Sequence, residues 1–433
     1  MNSLGTVSQL WIVSGEFTSL EFFSNSSKLS RGMIRSADYS DWEVFMTQRM
    51  TRRDWMRGSA ALASLAAVGY WEGALPALAQ GEEVVPFTDL PANFTTAGRG
   101  GRSLDVRTVQ PSSFITPTED FYLVQHYGTP MVDPATYKLR VTGLVNKPIE
   151  LTLAQLKQRP RTEIVSAFEC GGSSNANFNR LCGNARWAGT SLSALLREAG
   201  FRPHAREVVF FGVDKGMESV THGRGTQQVE QHFGRSMTTD DAMKPELLLV
   251  WEMNGQPLAP NHGAPVRLLV PGWYGVSNVK WLDHIHVQDT RFMGRFMSRD
   301  YVTLVGQKVG DQTIWNETSV SRIRIKSVLS RVTRTGNRFK ASGFVLNDGT
   351  ALRSVEVRVD NGPWQAARMD SANTQFSWKL FSYEWNNLAA GEHTIVSRAT
   401  DANGVLQPEE TELADKKTMW ENNGQFVRKF SIA

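Results

Sequence analysis

Apolar and polar positions alternate over residues 135–144, where Tyr137, Leu139 and Val141 share one face before Gly143 turns the chain. A period of two predicts a half-buried strand. Thr152 precedes Leu153 and Leu156, and Pro160 follows; this predicts a short helix capped by the threonine hydroxyl and stopped by the proline. Ser191 stands in the same relation to Leu192–Ala199, with Gly200 as its stop. The apolar run 247–253 predicts a buried strand, and the Asn254-Gly255 pair after it is a strong hairpin signal. Further strands are predicted over 266–270 and 279–287. Beyond about residue 320 the pattern changes: Val355, Val357 and Val359 alternate with Glu356 and Arg358, and turns recur at Asn347-Asp348-Gly349, Asn361-Gly362 and Ala402-Asn403-Gly404.

Mixed short strands and helices, followed by evenly spaced strands, predict an α+β domain over 110–300 and an immunoglobulin-like β-sandwich over 301–433. A polar, Gly/Pro-punctuated stretch within 80–109 is expected to link this body to what precedes it. The 433 residues carry 47 Lys plus Arg against 43 Asp plus Glu, a formal charge of +4, with 41% hydrophobic residues. Such a composition excludes a disordered chain, a collagen-like repeat and a multi-span membrane protein. The dispersed basic excess gives no nucleic-acid surface. Two cysteines exclude a disulfide scaffold and a Cys-ligated iron–sulfur cluster, and without a C-x-x-C-H run no covalent haem is expected on this chain.

Near the N-terminus, Thr51-Arg52-Arg53-Asp54-Trp55 precedes a short Ala-rich run, and Ala77-Leu78-Ala79 ends it. A basic head, a short apolar body and a small-x-small end describe a signal peptide over 50–79, and the paired arginines make it a twin-arginine signal. The expectation is export by the twin-arginine machinery to the periplasm. That route carries folded proteins, commonly with a cofactor already inserted. Residues 1–49 then precede a signal that belongs at the N-terminus, so translation is expected to start at Met50 or Met46, with 1–49 an upstream extension.

The candidate chemistry begins at Cys170, which ends the apolar run 164–169 and is followed by two glycines that let backbone approach a ligand closely. A thiolate so placed suits a soft metal, although a lone cysteine is more often a small core residue. The picture sharpens with His262-Gly263-Ala264-Pro265-Val266-Arg267, Pro271-Gly272-Trp273-Tyr274-Gly275 and Val279-Lys280-Trp281-Leu282, joined by Asp120-Phe121-Tyr122, His126 and Trp187-Ala188-Gly189. In this order, over about 110–415, the motifs resemble the sulfite oxidase family of molybdenum enzymes. Val355-Glu356-Val357, Trp364, Trp378 and Arg398-Ala399-Thr400-Asp401 likewise resemble that family's dimerisation sandwich.

The resemblance implies a molybdenum–molybdopterin cofactor with Cys170 as the metal's thiolate ligand. It implies that Phe121, Tyr122, Leu123, Val124, Gln125, His126, Asp214, His262, Arg267, Asn278, Val279 and Lys280 seat the pterin and its phosphate. A guanidinium and an ammonium suit a phosphate. Ser298-Arg299-Asp300-Tyr301 resembles the family's catalytic tyrosine motif, which makes Tyr301 the second catalytic candidate. The implied reaction is oxygen-atom transfer on a small sulfur compound, with electrons passed to an external cytochrome c and the chain working as a homodimer or beside a cytochrome subunit.

The pattern also departs from the family. Val124 stands where family sulfite oxidisers carry an arginine, and Cys170-Gly171-Gly172-Ser173-Ser174 lacks the arginine that follows their cysteine. Arg180 or Arg186 is left to compensate. An S-oxide reductase built on the same centre therefore stays open, as does a non-catalytic, cofactor-bearing dimer. Cys182, in Cys182-Gly183-Asn184-Ala185-Arg186, is the rival ligand, but it lies too close to Trp187 and follows no apolar strand. His284 and His286 share a strand face, more consistent with packing than with a metal pair, and His222 and Arg224 fall in a Gly-rich loop.

Overall fold

Leu139 and Val141, the inward residues of the first predicted strand, are fully buried in the strand Lys138–Gly143. That strand belongs to a five-stranded sheet ordered Ile149–Thr152, Lys138–Gly143, Leu282–Gln288, Glu207–His222, Gly225–Thr238. Lys138–Gly143 and Leu282–Gln288 pair in parallel, the other neighbours antiparallel. A second sheet runs Arg267–Leu269, Leu248–Met253, Cys182–Ser191, Thr162–Glu169, antiparallel throughout. Residues 78, 80–91 and 103–433 are the described part of this computed structural model. The expected N-terminal extension, the twin-arginine pair Arg52-Arg53 and residues 92–102 of the expected linker lie outside the described residues.

The predicted caps form as the side-chain chemistry dictates. Thr152 Oγ1 accepts from the Gln155 amide while the Gln155 side chain reaches back to Thr152 N, a reciprocal capping box that starts Leu153–Lys157. Ser191 caps Leu192–Ala199, and Gly200 ends it at φ +64° with its amide on the Leu196 carbonyl. Asn254 and Gly255, at φ +52° and +76°, join Leu248–Met253 to Gln256–Pro257.

Helix is scarcer than an α+β reading suggests: beside these two, the α-helices among the described residues are Thr239–Ala242 and Arg295–Ser298. The difference lies mainly in one long hairpin, Glu207–His222 with Gly225–Thr238, which turns at Gly223-Arg224. Its outer half carries only scattered apolar residues, Met217, Val220 and Val229, too few to give a hydrophobic period to read. The strand expected over 279–287 begins only at Leu282, because Trp281 takes φ +48° and the preceding residues form a turn.

The C-terminal half contains two sheets around a second core of Val85, Leu329, Val332, Phe339, Val355, Val357, Ile395 and Phe430 among others. One is ordered Glu83–Val85, Lys326–Thr335, Arg338–Leu346, Lys379–Asn386, Arg368–Met369; the other Gln365–Ala366, Leu352–Val359, Gly391–Asp401, Phe426–Ile432. The two sheets share one apolar layer, as in a β-sandwich. Glu83–Val85, from the stretch read as a linker, is an edge strand of this sandwich. Val302–Val309 and Gln312–Ser319 form a separate hairpin. The first core crosses residue 300, gathering Leu268 and Val270 with Tyr301, Val320, Val328, Phe344 and Trp378.

Candidate active site

A cleft of about 630 Å³, its open mouth included, gathers Phe121, Tyr122, Leu123, Val124, Gln125, His126, Cys170, Asp214, His262, Arg267, Asn278, Lys280 and Tyr301. These positions run from Phe121 to Tyr301 and belong to separate motifs. Val279 differs: its side chain is fully buried in the first core, and its carbonyl accepts from the Leu268 amide. In a turn that aims Asn278 and Lys280 at the cleft, the intervening residue faces away. Phe168, Phe233, Gly275, Val276 and Trp281 complete the lining and were not singled out as site residues. Gly275 and Trp281 stood inside quoted motifs; Phe233 sits on the long hairpin, where no sequence signal marks it.

At one part of the wall, cations are held by carbonyls. The Arg267 terminal nitrogens donate to the carbonyls of His262 (3.0 Å) and Asn278 (2.9 Å), and its plane lies 5.1 Å from the rings of both Phe168 and Trp187. Burial lowers its pKa to about 10. Asn278 is equally engaged, accepting from the Val270 amide at 2.7 Å. Lys280 Nζ donates to the carbonyls of Val124 (3.1 Å) and Asn261 (3.2 Å) and lies over the Trp281 ring. Burial, then the Arg267 charge, lowers its pKa to about 7. Burial raises Asp214 to about 6 against the pull of Lys280.

Elsewhere in the lining, His126 Nε2 lies 3.0 Å from the Tyr301 hydroxyl. The histidine packs on Phe296 and Phe233, and the tyrosine ring stacks on Trp420 at 4.2 Å. Burial, then Lys280 and Arg295, lowers His126 to about 4, so it is neutral at pH 7. Burial pushes the Tyr301 phenol well above its ordinary value. Cys170 follows the strand Thr162–Glu169, its amide on the Leu181 carbonyl, and burial raises its thiol to about 11. Gly275 leaves room for the Tyr122 hydroxyl, which would stand 2.1 Å from a Cβ at that position.

The rival cysteine is placed differently. Cys182 is fully buried, pairs opposite Glu169 in the sheet, sends its thiol toward the Asn179 carbonyl and does not line the cleft. Both thiols are free. Neither Arg180 nor Arg186 lines the cleft; Arg186 faces Glu163 at an exposed edge. His284 and His286 both bond Thr142 Oγ1 in a separate depression with His232 and Phe211. No cluster of three or more His, Cys, Asp or Glu residues fit to hold a metal ion occurs among the described residues. Arg224 is the second residue of the long hairpin's turn.

The donor set fits a phosphorylated pterin carrying a soft metal. The cleft offers one thiol, two buried cations, and two buried polar atoms without a hydrogen-bond partner, Asp214 Oδ1 and Arg267 Nε. Buried polar atoms left unpaired call for a ligand group.

A family model for the oxidoreductase molybdopterin binding domain matches residues 126–296. Human mitochondrial sulfite oxidase is 30% identical over 329 residues, covering 69% of this chain and 58% of the relative. Sulfite oxidase of Arabidopsis thaliana is 26% identical over 339 residues, covering 71% and 85%. The crystal structure of the sulfane dehydrogenase SoxCD from Paracoccus pantotrophus shares the fold at a TM-score of 0.64 and 22% identity, covering 85% of this chain and 97% of that one. The chain belongs to the sulfite oxidase family of molybdopterin-binding oxidoreductases. It spans under two thirds of the length of the human and rat relatives.

Proposed function

We propose that the chain is a molybdopterin-dependent enzyme that oxidises sulfite or a related sulfur compound and passes electrons to an external cytochrome c. The observation that carries this reading is the placement of Cys170 in one cleft with the Tyr301–His126 pair and the buried cations Arg267 and Lys280. Cys170 would hold the metal, whose positive charge keeps a coordinated thiol ionised despite burial. Lys280 would meet the phosphate, while Arg267, with both terminal nitrogens on carbonyls, fixes the two segments beside it and adds positive field. When bound, the cofactor supplies two-electron chemistry and the exchange of an oxygen atom with sulfur.

The residues around it orient and exclude water. In the tautomer with a proton on Nε2, His126 donates to the Tyr301 oxygen and leaves the phenolic proton for an oxygen in the cleft. A high pKa keeps that proton on the phenol at neutral pH. The sandwich would serve dimerisation, and the twin-arginine signal would deliver the loaded protein to the periplasm, beside its cytochrome.

A second reading, reduction of an S-oxide, is favoured by Val124. It puts an isopropyl group on the cleft wall, and the cations Arg267 and Lys280 already donate to carbonyls, a poor setting for a small dianion. Molybdenum analysis of the purified chain, then cytochrome c reduction with sulfite beside reduced-dye oxidation with sulfoxides, separates the two. The first reading expects stoichiometric metal and sulfite-driven reduction of the cytochrome; turnover with sulfoxides alone favours the second. A metal-free chain from cells competent for pterin synthesis overturns both.

A further inference from the structure

Lys326 opens the sandwich strand Lys326–Thr335, yet its side chain leaves the sandwich and ends, fully buried, against the loop that begins at Cys170. Its ammonium forms an ion pair with Glu169, the residue before Cys170, and donates to the Ser173 carbonyl at 3.1 Å and Asn179 Oδ1 at 3.4 Å. Both charged side chains have no solvent exposure. Glu169 ends the strand Thr162–Glu169, while Ser173 and Asn179 lie in the segment between it and the strand Cys182–Ser191, which Glu169 and Cys182 close as a register pair.

The segment is ordered in part from within, by a 3-10 turn at Asn175–Asn177 and by Asn177 Nδ2, which donates to the Gly172 carbonyl at 2.8 Å. It reads Gly171-Gly172-Ser173-Ser174 after the cysteine, and two glycines contribute no side chain to a core. The neighbouring ties also come from the C-terminal half: the Glu421 amide donates to the Gly171 carbonyl at 2.7 Å, and the Ala167 amide to the Phe376 carbonyl at 2.8 Å. A buried charge is retained only where its partners satisfy it, and here the partners named are Glu169 and two residues of the Cys170 segment.

We propose that Lys326 is a positioning residue for Cys170, a clamp from the sandwich that fixes the backbone on both sides of the metal-binding thiol. The inference rests on the reading of Cys170 as the metal's ligand. It makes the C-terminal half part of the site's construction as well as an interface candidate.

Cys182 serves as the reference thiol: it is the fully buried first residue of the strand after the segment, paired with Glu169 and touching only the segment's far end through the Asn179 carbonyl. The full chain is made in cells unable to synthesise the pterin, and alkylation by iodoacetamide is followed at each cysteine by mass spectrometry. Wild type is compared with Glu169→Gln and with the paired variant Lys326→Met/Glu169→Gln, which leaves no uncompensated charge and so keeps the test open should Lys326→Met alone fail to fold. Local opening of the segment is expected to speed Cys170 alkylation by about tenfold in the paired variant, while Cys182, held in the sheet, is accelerated much less. From cells competent for the pterin, the same variant is expected to hold several-fold less molybdenum per chain. Equal acceleration at both cysteines, or an unchanged Cys170 rate, overturns the clamp. Selective acceleration in a protein whose wild type takes up no molybdenum leaves the clamp standing and overturns the cofactor reading instead.

Discussion

The Tyr301 hydroxyl meets His126 Nε2 at 3.0 Å, and each ring is fixed from behind, the tyrosine by Trp420 and the histidine by Phe296. Tyr301 takes φ +57°, a left-handed backbone seldom used by an aromatic residue, as the chain leaves Arg295–Ser298. Its carbonyl accepts from the Val320 amide at 2.8 Å, which holds that turn. Such strain is retained where surrounding contacts over-determine it, as functional groups often require.

Tyr301→Phe keeps the ring and its stacking on Trp420 and removes only the hydroxyl. If the phenol donates its proton during turnover, kcat for the sulfur substrate falls by about 100-fold or more. Stability changes by only about 1 kcal/mol. Steady-state kinetics beside urea unfolding checks both; unchanged kcat removes Tyr301 from the chemistry.

The His126 imidazole has a pKa of about 4 in the folded chain against an ordinary 6.5. Between these values the unfolded chain binds more protons, so stability falls as pH drops from about 6.5 and levels off below about 4. The loss attributable to this group is about 3 kcal/mol. Urea unfolding of wild type and His126→Asn across that window measures it, and the variant is expected to show a flatter profile.

Lys280 titrates near 7 in the folded chain against 10.5 ordinarily. Between the two the unfolded chain again binds more protons, so this group makes the cofactor-free protein more stable as pH rises from about 7 to 10. A phosphate seated beside the ammonium favours the charged form and opposes that trend. Lys280→Met is expected to abolish the dependence and to weaken cofactor retention by one charge-assisted hydrogen bond, about 1.5–3 kcal/mol. Phosphorus and molybdenum analysis after dialysis at pH 6 and pH 9 reads the effect.

Cys170→Ser replaces a soft donor on the cleft wall, whereas Cys182→Ser alters a thiol that does not line the cleft. Molybdenum content is expected to vanish in the first and persist in the second. The reverse result would reassign the ligand to Cys182.

Arg267→Lys keeps the charge but loses the fork that joins the His262 and Asn278 carbonyls and the plane that lies against Phe168 and Trp187. Leaving a buried carbonyl without its partner destabilises by about 1–3 kcal/mol. A lowered denaturation midpoint in the cofactor-free chain is the expected outcome.

Much of this was legible before any coordinates. The capping hydroxyls of Thr152 and Ser191, the Asn254-Gly255 turn and the alternation at Val355 and Val357 are local, because each depends on residues a few positions apart. The cleft residues were legible through their motifs, since each motif is a local backbone device: a turn that aims Lys280 outward, or glycines that clear space beside Cys170. Long-range placement was not. Val279 faces the core because of a turn geometry that its strand-like sequence conceals, and the outer half of the hairpin 207–238 carries too few apolar residues to reveal it. Local sequence could favour Cys170 over Cys182 but could not show that Lys326, 157 residues from Glu169, ends beside it. The sequence by itself determined which groups are available and the local turns that present them. Tertiary structure alone decided which groups meet, because burial and pairing depend on the whole packed chain: they made Cys170 a cleft residue, kept His126 neutral beside Tyr301, and set Lys326 behind the Cys170 loop.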